Sequence, residues 1–184
     1  MHILVSVVFF LIMVFLMSLV WTNARGAPWV PTSRQVIRTM LEMAEVRPGE
    51  TVYDLGCGDG RVLITAARDF QARAVGVEVD LSRFLWSALA VTVRGLWGRV
   101  KIIRGDLFTV DLGTADVVFT FLLQDTNDRL KEKLRRELRP GTRIVSNIFT
   151  FSGFPLAAVD EELQLYLYRV PAPMGGENVA GREV

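Results

Sequence analysis

Val52-Tyr53-Asp54-Leu55-Gly56-Cys57-Gly58-Asp59-Gly60-Arg61 decides how the rest of this 184-residue chain reads. An apolar run ends in glycines at alternate positions, 56, 58 and 60, with an acid two residues before the first, and a helical pattern begins at Val62. Glycines let the backbone turn sharply and bring a ligand close, with no Cβ in the way. The free N–H groups of the helix that follows point at whatever sits there. The dinucleotide fingerprint G-x-G-x-x-G uses its third glycine for helix packing and holds a pyrophosphate at the helix end. Here Arg61 stands at the third-glycine position, and Asp54 and Asp59 add negative charge where a pyrophosphate needs the opposite. Carboxylates in those places suit a positively charged ligand.

Length and composition narrow the choice. A chain of this size is one domain by the usual prior. The formal net charge of +1 supplies no bulk field towards nucleic acid, and none is expected as a partner. One cysteine excludes an internal disulfide framework and a Cys-based zinc cluster, and no metal is expected. That cysteine, Cys57, sits inside the glycine loop and reads as a small residue filling a tight turn. A reactive thiol would need a base, and the one histidine is His2.

Residues 3–21 carry no formal charge and are interrupted only by Ser6 and Ser18. At about 1.5 Å per residue they nearly span a hydrocarbon core of about 30 Å. A cleaved signal peptide would want a basic start, a shorter apolar core and a small-x-small site. No Lys or Arg precedes the run, and Thr22-Asn23-Ala24 is a poor cleavage site. The expectation is therefore a transmembrane anchor over residues 1–23. Arg25, Arg34 and Arg38 follow the span, and the positive-inside rule then places the catalytic domain in the cytoplasm of a single-pass membrane protein, with the lipid bilayer as a partner.

Residues 24–32 form a proline-stiffened linker and pre-motif, residues 33–170 the folded domain, and residues 171–184 a Gly- and Pro-rich flexible tail. Thr32 or Ser33 can cap a helix running to about Glu45, with Val36, Ile37, Met40, Leu41 and Ala44 on one face. Strands are expected over 51–55, 74–78, 100–104, 116–121, 142–149 and 163–170. Helices are expected over 62–70, 80–94 and 126–138. The alternation predicts a mainly parallel sheet with helices on both faces. Ligands on such sheets sit beyond the carboxyl ends of the strands, at the switch point beside the first strand.

The acid-and-glycine loop resembles the S-adenosylmethionine (SAM) loop of class I methyltransferases, which implies SAM as cofactor and a Rossmann-like seven-stranded, mostly parallel sheet. From Pro28 to about Phe154 the chain resembles one group of protein-lysine methyltransferases. The group includes a broad-specificity archaeal enzyme and the membrane-anchored mitochondrial enzymes acting on ATP synthase subunit c and the adenine nucleotide translocase. The segments that carry this are Trp29-Val30-Pro31-Thr32, the glycine loop, Phe121-Leu122-Leu123, and the run from Leu138 to Ser146. The resemblance implies a cofactor site of Asp54, Gly56, Cys57, Gly58, Gly60, Glu78, Val79, Asp106, Leu107 and Phe121. Glu78 would accept hydrogen bonds from ribose hydroxyls, and Asp106 would accept the adenine amino group. Trp29, Thr32, Phe121 and Asn147 are candidates for a lysine channel, and no catalytic residue is assigned. Similar proteins have a His after the fifth-strand Ser where this chain has Asn147, and the segment over residues 153–162 is short.

The expected function is SAM-dependent methyl transfer to lysine side chains of a protein. The alternatives are a membrane-anchored methyltransferase of a small molecule, lipid or quinone, and a SAM-binding scaffold without catalysis. DNA-adenine and glutamine N-methyltransferases carry Asn/Asp-Pro-Pro-aromatic after the fourth strand. Phe121-Leu122-Leu123-Gln124 disfavours that class. The basic stretch from Arg129 to Arg143 is interleaved with Asp128, Glu132 and Glu137. It reads as a solvated helix face with i,i+4 pairs, or else as a contact for anionic headgroups.

Overall fold

A computed structural model describes residues 5, 6, 9, 10, 13 and 30–172. Four helices and seven strands are described beyond residue 30, in the order α1 (Arg34–Met43), β1 (Thr51–Leu55), α2 (Arg61–Asp69), β2 (Arg73–Glu78), α3 (Leu81–Thr92), β3 (Val100–Arg104), β4 (Val117–Thr120), α4 (Gln124–Glu137), β5 (Arg143–Asn147), β6 (Leu156–Asp160) and β7 (Leu165–Arg169). The strands make one sheet ordered β3-β2-β1-β4-β5-β7-β6. The first five are parallel, and β7 and β6 close the edge antiparallel.

Local chemistry sets the element ends. The Ser33 hydroxyl accepts the Val36 N–H at 3.2 Å and starts α1, and the Asp80 carboxylate accepts the Arg83 N–H at 2.9 Å and starts α3. Strand β1 is buried on both faces, as a central parallel strand must be. One apolar layer joins Ile37, Leu41, Leu63 and Ala66 to one face of the sheet, and a second joins Leu130 and Leu134 to the other. The sheet is therefore covered on both sides, and its crevice opens at the carboxyl ends of β1, β2 and β4.

The expected N-terminal transmembrane helix is corrected. A span needs about 20 consecutive apolar residues in one helix. Among the described residues no helix is long and apolar enough to cross a membrane. The longest is α4, at 14 residues, and it is rich in charge. The single-pass placement, its cytoplasmic orientation and the bilayer as partner fall with that helix. Apart from 5, 6, 9, 10 and 13, residues 1–23 lie outside the described residues. So do most of the linker, Trp29 included, and the tail beyond 172.

The sixth strand is a finding that the sequence reading lacked. β6 lies at the sheet edge with four of its five residues exposed, so burial imposes no alternation on its Leu-Ala-Ala-Val-Asp sequence.

Candidate active site

A cavity of about 1070 Å³ opens at the carboxyl ends of β1, β2 and β4. Asp54, Gly56, Cys57, Gly58, Glu78, Val79, Asp106, Leu107 and Phe121 all line it. Gly60 does not: it sits behind the loop as the N-cap of α2, where a Cβ would lie 3.1 Å from the Ser87 Cβ. The loop is built by its backbone. Gly56 and Cys57 both donate to the Val77 carbonyl, at 2.9 and 3.0 Å. Gly56, Gly58 and Gly60 all have positive φ, between 54° and 89°, which a side chain would strain.

The carboxylates differ in what they hold. Each Glu78 oxygen accepts one backbone N–H at 2.9 Å, one from Gly58 and one from Asp80, so Glu78 fastens the loop to the start of α3. Each oxygen keeps a lone pair for a ligand. Asp59 is committed to Arg61, whose Nε donates to it at 2.9 Å. Asp106 accepts the Phe108 N–H within its own turn, at 2.9 Å. Asp54 is buried, yet no hydrogen bond or ion pair reaches its carboxylate among the described residues. Burial, with Glu78 and then Asp59 adding repulsion, pushes its pKa up to about 7. An unpaired buried acid on a cavity wall fits a cationic ligand and repels a phosphate. Burial and the neighbouring acids also push the Cys57 thiol up, which keeps it neutral and inert.

Phe121, Leu122, Ile148 and Phe149 add apolar surface to the cavity lining, and Thr32 lines it too. Asn147 does not line the cavity. It is the last residue of β5, buried and paired with Leu165. The chain reaches the cavity one residue later, at Ile148, which has φ +66°. A β-branched residue rarely adopts that conformation. A buried polar cluster fixes this turn: Asn127 Nδ2 donates to Ser146 Oγ at 3.2 Å and to the Phe149 carbonyl at 3.3 Å, and Ser146 Oγ also reaches that carbonyl. Ile148 and Phe149 were missed as site residues. Their signal was position alone, since each follows the carboxyl end of a strand near the switch point.

The sheet order, the glycine loop and the cavity together define a SAM-dependent methyltransferase. The ANTKMT methyltransferase domain matches residues 54–157, and the chain belongs to that family. It is 48% identical to a protein-lysine N-methyltransferase of Saccharolobus islandicus over 69% of this chain and 80% of that protein. It is 33% identical to the adenine nucleotide translocase lysine N-methyltransferase of Mus musculus over 73% of this chain and 58% of that protein. The chain thus spans little more than half of the mouse relative. The structure of an RNA methyltransferase from Salinibacter ruber, in complex with S-adenosyl-L-homocysteine, is similar with a TM-score of 0.76. Its sequence identity is 36%, over 80% of this chain and 98% of that one.

Proposed function

We propose that this methyltransferase modifies lysine side chains of a protein, within a domain spanning residues 33–170. The observation that carries the proposal is the make-up of the cavity, which joins the unpaired Asp54 and the glycine backbone to the apolar residues Phe121, Leu122, Ile148 and Phe149. The lining acids Asp54 and Glu78 suit a cofactor bearing a sulfonium and an ammonium. Asp54 faces the positive charge, Glu78 accepts ribose hydroxyls with its free lone pairs, and Gly56, Cys57 and Gly58 let the ligand approach the backbone. Val79 and Leu107 flank the adenosine portion, Asp106 accepts the adenine amino group, and Gly60 holds α2 in place behind the loop. SAM, when bound, supplies a methyl group on an already activated leaving group. The chain's own residues then have to orient the acceptor and exclude water.

The apolar lining residues suit the aliphatic stem of a lysine. Taking an ammonium into such a site disfavours its charged form, so the acceptor enters as the neutral amine that methyl transfer requires. No side chain is assigned as a general base. Phe121 and Thr32 stay in the proposed acceptor channel, Ile148 and Phe149 join it, and Asn147 leaves it. Names of relatives support the lysine acceptor: the Saccharolobus islandicus protein is a protein-lysine N-methyltransferase.

The test is methyl-labelled SAM incubated with the full chain and a cell extract, with products separated into protein, RNA and organic fractions. Label on a protein band, located at lysine and absent with Asp54→Asn, is the expected result. Label confined to the organic fraction would mean a lipid or quinone acceptor, and label confined to RNA would mean an acceptor like that named for the Salinibacter ruber enzyme. SAM binding with no label in any fraction would mean a non-catalytic scaffold.

A further inference from the structure

Arg61 occupies the place where a dinucleotide-binding loop has its third glycine, and its guanidinium joins two segments 29 residues apart. Nε and Nη2 grip the two Asp59 oxygens, at 2.9 and 2.5 Å. Nη1 donates to the Thr32 carbonyl at 2.7 Å. Val30, Pro31 and Thr32 line the same cavity as Asp59 and Arg61, so this strap is part of the cavity wall. Directly after it comes the start of α1, where Ser33 receives the Val36 N–H on its hydroxyl and the Ile37 N–H on its carbonyl.

We propose that Arg61 is a positioning residue that transmits cofactor binding at the glycine loop to the acceptor-side strap, residues 30–33. The inference rests on the methyltransferase reading of the cavity. A ligand seated on the loop holds Asp59, Asp59 fixes the plane of the guanidinium, and the guanidinium pins the Thr32 carbonyl. The planar fork is essential, because two parallel bonds to Asp59 leave Nη1 aimed in one direction. An ammonium has no such plane, so lysine at this position keeps the charge and loses the geometry.

The experiment compares the full chain with Arg61→Ala and Arg61→Lys, with and without S-adenosyl-L-homocysteine, reading ligand affinity by calorimetry and amide exchange at Val36 and Ile37. In the parent protein the ligand should slow exchange at these two amides. Both variants should bind the ligand within about threefold of the parent, a change of less than about 1 kcal/mol. Both should lose the slowing. Methyl transfer should then fall about tenfold or more in kcat, with little change in the KM for SAM. Slowing that survives in Arg61→Lys would reduce Arg61 to a counter-charge and overturn the proposal, as would slowing that survives in Arg61→Ala. Slowing absent from a parent protein that binds the ligand would also overturn it. A parent protein that does not bind the ligand would instead refute the reading of the cavity itself.

Discussion

Asp54 shows why a buried acid on a cavity wall can work against the fold that carries it. Folding raises its pKa from 3.8 to about 7, so between those values the folded protein holds a proton that the unfolded chain has released. Its contribution to the stability of the ligand-free protein is therefore most favourable below about pH 4, declines as pH rises through that window, and levels off above pH 7. A rise of that size corresponds to at most on the order of 4 kcal/mol. Asp54→Asn should make the ligand-free protein more stable at pH 8 by about 1–4 kcal/mol and flatten its stability between pH 4 and 7. The same change should weaken SAM binding tenfold or more, about 1.4 kcal/mol. Denaturant unfolding at pH 5 and pH 8, with calorimetry, tests both halves; a variant no more stable than the parent at pH 8 would show that Asp54 carries no burial penalty. Gly76 is the other telling residue. A Cβ there would lie 2.4 Å from Leu63 Cδ1 and 2.6 Å from Cys57 Sγ. Gly76→Ala should cost about 1–3 kcal/mol by overpacking behind the loop. An unfolding midpoint equal to the parent's would mean that the loop and α2 yield without cost.

Among the elements, the helix caps were legible in sequence because capping is local. Ser33→Ala should cost about 1 kcal/mol by freeing the Val36 N–H, and thermal unfolding measures it. The basic stretch was legible only in outline. Of its ion pairs, Lys133–Glu137 is the i,i+4 pair and Arg135–Glu132 an i,i+3 pair. Two of its arginines instead form ion pairs with distant parts of the fold. Arg139 pairs with Asp116, and buried Arg143 pairs with Glu50 at 2.6 Å. Arg143 also donates to the carbonyls of Ala44 and Glu45. It therefore fastens the end of α1 to β5. Arg143→Ala should lower stability by about 1–3 kcal/mol, because it leaves the buried Ala44 carbonyl and the half-buried Glu50 carboxylate short of a donor. A loss below about 1 kcal/mol in an unfolding titration would show that water replaces the guanidinium freely. Strand β6 was not legible, since an exposed edge strand needs no alternating pattern.

For the molecule as a whole, the sheet order puts the candidate site residues together. β1 lies between β2 and β4, so the loop after β1 meets the acid ending β2 and the apolar run after β4 at a single crevice. The sequence by itself determined the parallel α/β core, the glycine loop, the acids at strand ends and two helix caps. Each of these depends on residue type at short spacing, where backbone freedom, burial period and local hydrogen bonds act directly. The tertiary structure decided the rest. It committed Asp59 to Arg61, left Asp54 without a partner among the described residues, and tied Arg61 to the Thr32 carbonyl. It also paired Asn147 with Leu165 at the end of β5 and brought Ile148 and Phe149 to the cavity. A strand reverses its side chains at every residue, so moving its end by one position exchanges a wall residue for a buried one. Contacts between segments tens of residues apart leave no local period in the sequence, and only the packed sheet determines which of them form.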